Sequence, residues 1–168
     1  MNEKLVTAFN VQINAELYSE YLYLAMKAIF EEQHLTGFAN WFNVQVQEEH
    51  AHAMGLYNYV HERGGKVSLD AIAKPDFKEG GILDIFEQVL KHEQLVTAKI
   101  NALADEADNA KDRAAVSFLD WYVKEQVEEE ASVRQIISNL KLIGDDKKAL
   151  LMLDRELAAR TFVQPVIG

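Results

Sequence analysis

Four long apolar stripes, each interrupted by a glutamate, constrain the fold of this chain more than any other feature. In each stripe, apolar residues recur at spacings of three and four, which places them on one face of an α-helix. The stripes lie within residues 2–32, 36–63, 82–107 and 112–142. The third reads Ile82, Phe86, Val89, Glu93, Val96, Ile100, Leu103. This pattern predicts four long helices that pack their apolar faces together.

The connections between these helices predict how they are arranged. Thr36 is placed to act as N-cap of the second helix, and Gly64-Gly65 ends it. The segment 64–81 contains Pro75 and two Gly-Gly pairs, whereas the first and third connections are short. A shorter fifth helix is expected over 145–160. The order short, long, short predicts an all-α chain, a four-helix bundle with one long crossover, as a single domain over 1–168.

The interrupting glutamates indicate a metal site. They are Glu16, Glu49, Glu93 and Glu129, one on each helix, and no lysine or arginine shares their stripes. An unpaired carboxylate removed from water costs several kcal/mol, and clustered carboxylates repel one another. Two divalent cations balance the four negative charges. The alternative is that the stripe phase is wrong and the glutamates face solvent.

The second helix adds a histidine to this set. Glu49 and His52 are three residues apart, so both lie on one helix face. Glu-x-x-His is the usual contribution of a bundle helix to a di-iron carboxylate site. Carboxylates with a single imidazole suit iron or manganese better than copper or structural zinc. The combination predicts two iron or manganese ions bound by Glu16, Glu49, His52, Glu93 and Glu129.

Composition excludes several other classes of function. There is no cysteine, which rules out disulfides, iron–sulfur clusters and thiol catalysis and fits a reducing cytoplasm. The formal net charge of −10 disfavours nucleic acid and anionic membranes as partners. The first ten residues lack a basic region followed by an apolar run, so we expect no signal peptide. Cytoplasmic localisation is the expectation.

Over nearly its whole length the chain resembles the bacterial non-haem ferritins. The segments that carry the resemblance are Asn14-Ala15-Glu16-Leu17, Tyr23, Glu48-Glu49-His50-Ala51-His52, Glu93, Trp121-Tyr122 and Glu125-Gln126-Val127-Glu128-Glu129. The resemblance implies a ferritin-like bundle and a centre at which Fe(II) is oxidised by O2 or hydrogen peroxide. It also implies a hollow 24-subunit shell that stores the ferric product as a hydrated oxide.

The resemblance further implies a role for each site residue. Glu16, Glu49 and His52 hold the first iron, and Glu49 bridges to the second. Glu93 and Glu129 hold the second iron, with Gln126 beside it. A third iron site is implied at Glu48, Glu125, Glu128 and Glu129. Tyr23 is placed to hydrogen-bond a ligand or to give up an electron. Core packing is the alternative for Tyr23 and Trp121.

Departures from related families narrow the prediction. Bacterioferritins usually carry a second Glu-x-x-His on the fourth helix, where this chain has Gln126 and Glu129. Their haem-binding methionine is replaced here by His50 and Ala51, so we expect no haem. His50 and His92 lie next to site residues in sequence, and we expect both at surfaces or subunit contacts. The fifth helix is expected either at a symmetry axis or against its own bundle.

Two other functions remain open. One is a di-iron oxygenase or peroxidase that acts on an organic substrate. The other is a structural bundle in which the glutamates have no metal. Within the ferritin interpretation, storage and protection from peroxide both remain possible main roles.

Overall fold

The computed structural model describes residues 1–167 and contains the five predicted helices. They are α1 (Glu3–Glu32), α2 (Thr36–Glu62), α3 (Ile82–Asn109), α4 (Arg113–Ile143) and α5 (Lys147–Leu157). No β-strand occurs among the described residues, and no helix there is long and apolar enough to cross a membrane. The last residue of the predicted domain, Gly168, lies outside this description. The predicted all-α bundle with a short fifth helix is confirmed.

Some helices are capped by a side chain from their own first turn, and one is capped by a side chain from a remote helix. Asn2 accepts a hydrogen bond from the backbone N–H of Leu5, and Asp146 caps α5 in the same local way. The prediction that Thr36 caps α2 is wrong. The α2 cap is instead Asp154 of α5, whose Oδ1 accepts from the N–H groups of Gly37 (2.8 Å) and Phe38 (3.0 Å).

Residue 37 must be a glycine for this cap to form. A Cβ atom there would lie 1.5 Å from the backbone oxygen of Asp154. The close approach lets a carboxylate from a remote helix satisfy the otherwise unpaired N–H groups at the start of α2. It also ties α5 to the bundle, with Leu153 buried beside the cap while Leu151 and Met152 remain exposed.

The long connection runs along α1. The side chain of Asn10 bonds the backbone of Lys66 and Ser68, and Asn14 bonds the carbonyl of Asp70. Further along, the N–H of Asp76 donates to the Tyr18 hydroxyl. Each contact is about one turn further along α1 than the one before, so the segment passes from one end of the bundle towards the other. This is the predicted crossover, and it places α3 and α4 as a second hairpin beside the first.

Two separate apolar cores fill the bundle. One surrounds Phe30, Phe42 and Phe86 near the α5 end, and the other surrounds Phe9 and Leu119 near the start of α1. Between the cores the same helix faces carry buried carboxylates. The bundle therefore has an apolar–polar–apolar interior, and the polar layer is the candidate site.

Candidate metal centre

The polar layer contains all the residues that interrupt the stripes. It consists of Glu16 from α1, Glu49 and His52 from α2, Glu93 from α3, and Gln126 and Glu129 from α4. Their exposed fractions run from 1% to 5%, so the predicted stripe phase is confirmed. No lysine or arginine within residues 1–167 pairs with the four carboxylates. Buried charges without a cationic partner are rare in proteins unless they coordinate metals.

Glu16, Glu49 and His52 form the first set of convergent donors, which we call the inner group. One ligand atom from each lies within 4.8 Å of the others. The Glu49 carboxylate is 3.7 Å from His52 Nδ1, as the i, i+3 spacing requires. Gln12 donates to Glu16 Oε1 at 2.7 Å, but Glu16 Oε2 is buried without a partner. A metal ion would supply that partner, so the donor set fits a cation.

Hydrogen bonds hold Glu93 and Glu129 on the other side of the layer. The Tyr23 hydroxyl and the Gln126 amide both donate to the Glu93 carboxylate, the latter at 3.2 Å. Gln45 donates to Glu129 at 3.0 Å. Among the described residues Glu93 joins neither set of convergent donors, so these bonds rather than close neighbours orient it.

The electrostatics of the layer follow from burial. Burial raises the pKa of Glu93 to about 7. Burial and the charge of Glu93 raise the pKa of Glu129 to about 8. The pKa of Glu49 is well above its usual range, because it is buried and faces Glu93 and Glu16. Without cations these carboxyls therefore retain protons near neutral pH, and a bound cation would displace them.

A second set of convergent donors lies nearer the surface, and we call it the outward group. It consists of His52, Glu125 and Glu129, again with ligand atoms within 4.8 Å. His52 Nε2 is 4.0 Å from Glu125 and has no hydrogen-bond partner although it is buried. His52 therefore turns one ring nitrogen towards each group. This double role of His52 was not predicted from the sequence.

The other two residues of the expected third site lie elsewhere. Glu128 is exposed. Glu48 forms an ion pair with Arg160 at 2.6 Å. Burial raises the pKa of Glu48, whereas the nearby charges of Arg160 and His52 lower it. In this structure Glu125 and Glu129 therefore converge with His52, whereas the Glu48 carboxylate is paired with Arg160.

Aromatic side chains border both groups. Tyr23 is fully buried beside Glu93, and Trp121 packs edge-on against His52 with ring centroids 5.5 Å apart. His92 is half-buried rather than fully exposed, and a subunit contact for it stays a prediction. Its Nε2 lies 2.8 Å from the buried Ser19 hydroxyl, its ring meets Tyr23 edge-on at 5.7 Å, and burial lowers its pKa to about 4. His50 is exposed, as expected, and contacts Glu20.

Sequence reasoning missed the residues that orient the carboxylates. Gln12 and Gln45 each lie one helical turn before a stripe glutamate, and Thr97 contacts the Gln126 amide at 3.3 Å. The available signal was the i, i+4 spacing from Gln12 to Glu16 and from Gln45 to Glu49. It indicates that the amides share the buried face, but it does not tell which carboxylate each one contacts.

Comparison with known proteins agrees with this architecture. The model of the ferritin family, described as a ferritin-like domain, matches residues 6–143. A bacterial non-heme ferritin of Staphylococcus saprophyticus is 41% identical over 162 residues, which cover 96% of this chain and 97% of that protein. The corresponding Staphylococcus aureus protein is 39% identical, with 96% and 98% covered.

Solved structures give the same result for the fold. A humanized archaeal ferritin superposes with a TM-score of 0.95 at 52% identity, covering 97% of this chain and 99% of the other. An open pore ferritin from Archaeoglobus fulgidus superposes with a TM-score of 0.93 at 51% identity, with 96% and 99% covered. The expected ferritin-like bundle is thereby confirmed.

Proposed function

The chain belongs to the ferritin family, and from that premise we propose that it oxidises Fe(II) in its polar layer and stores the ferric product inside a shell of identical subunits. Residues 1–168 act as one domain in this proposal, and the chain works in the cytoplasm. Iron is the substrate of the reaction. The relatives named bacterial non-heme ferritins support iron as the metal.

One observation carries this proposal. Four carboxylates and a histidine are buried together with no lysine or arginine partner in the described chain, and Glu16 Oε2 and His52 Nε2 have no hydrogen-bond partner. Two Fe(II) ions carry the four positive charges that four carboxylates balance. Four buried carboxylates in the charged form would be unfavourable without cations, whereas two Fe(II) ions make the charged layer neutral.

We assign the roles of the residues as follows. Glu16, Glu49 and His52 hold the first iron, and Glu49 bridges to the second. Glu93 and Glu129 hold the second iron, next to the Gln126 amide. The outward group receives iron after oxidation as a third site, to which Glu48 and Glu128 contribute.

The electron balance of the reaction is simple. Each of two Fe(II) ions gives up one electron. O2 takes both electrons and two protons and becomes hydrogen peroxide. When hydrogen peroxide is the oxidant, two electrons and two protons convert it to two water molecules. The protein positions both irons so that the two electrons are delivered together.

The buried carboxyls also take part in proton movement. Because burial keeps the pKa of Glu93 at about 7 and that of Glu129 at about 8, both retain protons in the metal-free protein. Those protons leave as Fe(II) enters, so the ligands become charged only when the cations are present. Tyr23, whose pKa is raised well above its usual value by burial and by Glu93, remains a proton donor to the Glu93 carboxylate.

Storage requires a cavity, which a single bundle does not provide. We propose a shell of 24 copies. Apolar side chains that a single chain leaves exposed support further contacts between copies. They include Tyr21 and Leu24 on α1, and Leu151 and Met152 on α5. Native mass spectrometry tests this assembly, and a monomer or dimer would contradict it.

The oxidation itself is tested by adding two Fe(II) per chain in air and following ferric absorbance. We expect oxidation much faster than in buffer, and loss of the fast phase in Glu49→Gln. Glu62→Gln is the matched control, because Glu62 is exposed on the same helix. Equal rates for Glu49→Gln and the unaltered protein would contradict the assigned site.

A further inference from the structure

The C-terminal tail forms one ion pair beside the outward group. Beyond α5, the guanidinium of Arg160 lies 2.6 Å from the Glu48 carboxylate and 5.1 Å from the Trp41 ring centroid. The backbone of the tail is anchored as well, because the Asn40 amide donates to the carbonyls of Leu157 and Arg160 at 3.1 and 2.9 Å. Arg160 is thus held beside the site from outside the four-helix bundle.

Glu48 belongs to the outward group by position, although it does not join it. Glu48 and His52 are four residues apart on α2, and Glu125 and Glu129 are four residues apart on α4. Each pair therefore occupies one helix face. His52 Nε2 and Glu125 already converge from these faces. Glu48 is not among these convergent donors, and its carboxylate is instead paired with Arg160.

The buried, unpartnered His52 Nε2 indicates that a ligand completes this arrangement. While Glu48 is paired with Arg160, the group offers Glu125 and the Glu129 carboxylate that it shares with the oxidation site. Release of Glu48 adds one negative charge, which favours a trivalent over a divalent cation. The position of Glu48 therefore decides which charge state the group binds better.

We propose that Arg160 is a releasable counter-ion for Glu48, so that a trivalent cation in the outward group draws Glu48 away from Arg160 and frees the tail. This inference rests on the proposed function, in which ferric ions leave the oxidation site through the outward group. Arg160 is a positioning residue, since it acts through Glu48 and not on the iron. It makes retention of the product reversible, because the guanidinium competes with each ferric ion for the same carboxylate.

The test uses the assembled protein and Tb³⁺, a trivalent cation that does not change oxidation state. We expect Arg160→Gln to bind Tb³⁺ about two- to fivefold more tightly, as expected when a partly exposed ion pair no longer has to be broken. The gain should disappear in the Glu48→Gln background. Arg155→Gln, which removes a charge from an exposed α5 position, is the matched control and should bind as the unaltered protein does.

A second measurement needs no variant. Hydrogen exchange of residues 158–167 should become faster when Tb³⁺ is added and stay unchanged with Zn²⁺. Arg160→Lys, which keeps the charge, should retain the affinity of the unaltered protein. The proposal would be overturned by equal Tb³⁺ affinity in Arg160→Gln and the unaltered protein. It would also be overturned if Tb³⁺ left the hydrogen-exchange rate of residues 158–167 unchanged.

The two proposals fail in different ways. If the unaltered protein oxidises Fe(II) rapidly but Arg160→Gln binds Tb³⁺ with the same affinity, only the counter-ion role is wrong. If Fe(II) oxidation is absent, the proposed function fails, whatever Tb³⁺ does.

Discussion

The Tyr23 hydroxyl donates a hydrogen bond to the Glu93 carboxylate, and both side chains are sealed from solvent, at 0% and 1% exposure. Tyr23 belongs to the apolar core near α5, whereas Glu93 belongs to the polar layer. This hydrogen bond therefore connects the polar layer to the apolar core at Glu93, which belongs to neither group of convergent donors. Three of the four buried glutamates, Glu16, Glu93 and Glu129, are oriented in this way by a neutral donor.

Tyr23→Phe should slow Fe(II) oxidation while leaving the fold intact. The change removes only the hydroxyl, and a hydrogen bond to a charged group contributes about 1.5–3 kcal/mol. We expect the initial rate at two Fe(II) per chain to fall by about tenfold or more, measured by stopped-flow absorbance. Tyr21→Phe is the control, because Tyr21 is half-exposed on the same helix. Identical rates for Tyr23→Phe and Tyr21→Phe would assign Tyr23 to core packing alone.

Gln126→Glu should slow the release of iron from the oxidation centre. Gln126 is 5% exposed and its neutral amide contacts Glu93, so a carboxylate there adds a stronger ligand beside the second iron. Release is measured by transfer of oxidised iron to an external chelator. Gln135→Glu, at an exposed position on α4, is the control. Release no slower than in that control would refute the idea of a loosely held second iron.

The metal-free protein should become less stable as the pH rises from about 5 to about 8. The pKa values of Glu93 and Glu129, about 7 and 8, exceed the ordinary value of 4.5. The folded state therefore binds more protons than the unfolded state in this range, and the free energy of unfolding falls with pH. Thermal unfolding at several pH values measures the slope. Glu129→Gln should flatten it, and an unchanged slope in that variant would contradict the assignment.

Cation binding should release protons. At pH 6.5 Glu93 and Glu129 are largely protonated in the metal-free protein, and the pKa of Glu49 is raised as well, so we expect at least about two protons to leave per chain as Zn²⁺ fills the layer. Calorimetry in two buffers with different ionisation enthalpies measures the number. Heats that are identical in both buffers would mean that the carboxyls were already charged.

Asp154→Ala should destabilise the bundle at its α5 end. The substitution removes the acceptor for two N–H groups at the start of α2, and loss of such a cap costs about 1–2 kcal/mol. A lower unfolding temperature of the metal-free protein is the expected result. Asp145→Ala, an exposed position before α5, should leave that temperature unchanged. If both variants unfold at the same temperature, the remote cap contributes nothing to stability.

The helices and the polar layer were predictable because they depend on how residue types are spaced over short stretches of the sequence. The spacing of apolar residues sets which face of each helix is buried, so the burial of Glu16, Glu49, His52, Glu93 and Glu129 follows from their phase alone. The lengths of the three connections predicted the crossover in the same way. Asn2, Asp112 and Asp146 cap their own helices, which also depends only on nearby residues.

Contacts between remote segments could not be obtained in this way. Thr36 has the right residue type for a local cap, but Asp154, more than a hundred residues away, occupies that position. His92 has the sequence environment of a surface residue, yet the packing of α1 against α3 places it beside Ser19 and Tyr23. Similarly, the resemblance implies one third site of four glutamates, but in the structure Glu48 is paired with Arg160 of the tail.

By itself, the sequence determined that this chain forms a bundle with a buried layer of carboxylates, because helical periodicity is a property of neighbouring residues. Only the tertiary structure decided which donors converge. In the folded chain the two ring nitrogens of His52 face different groups of donors, and Tyr23 orients Glu93. Arg160 keeps Glu48 out of the outward group. These outcomes depend on distances of a few ångströms between helices, and no spacing along a single helix encodes them.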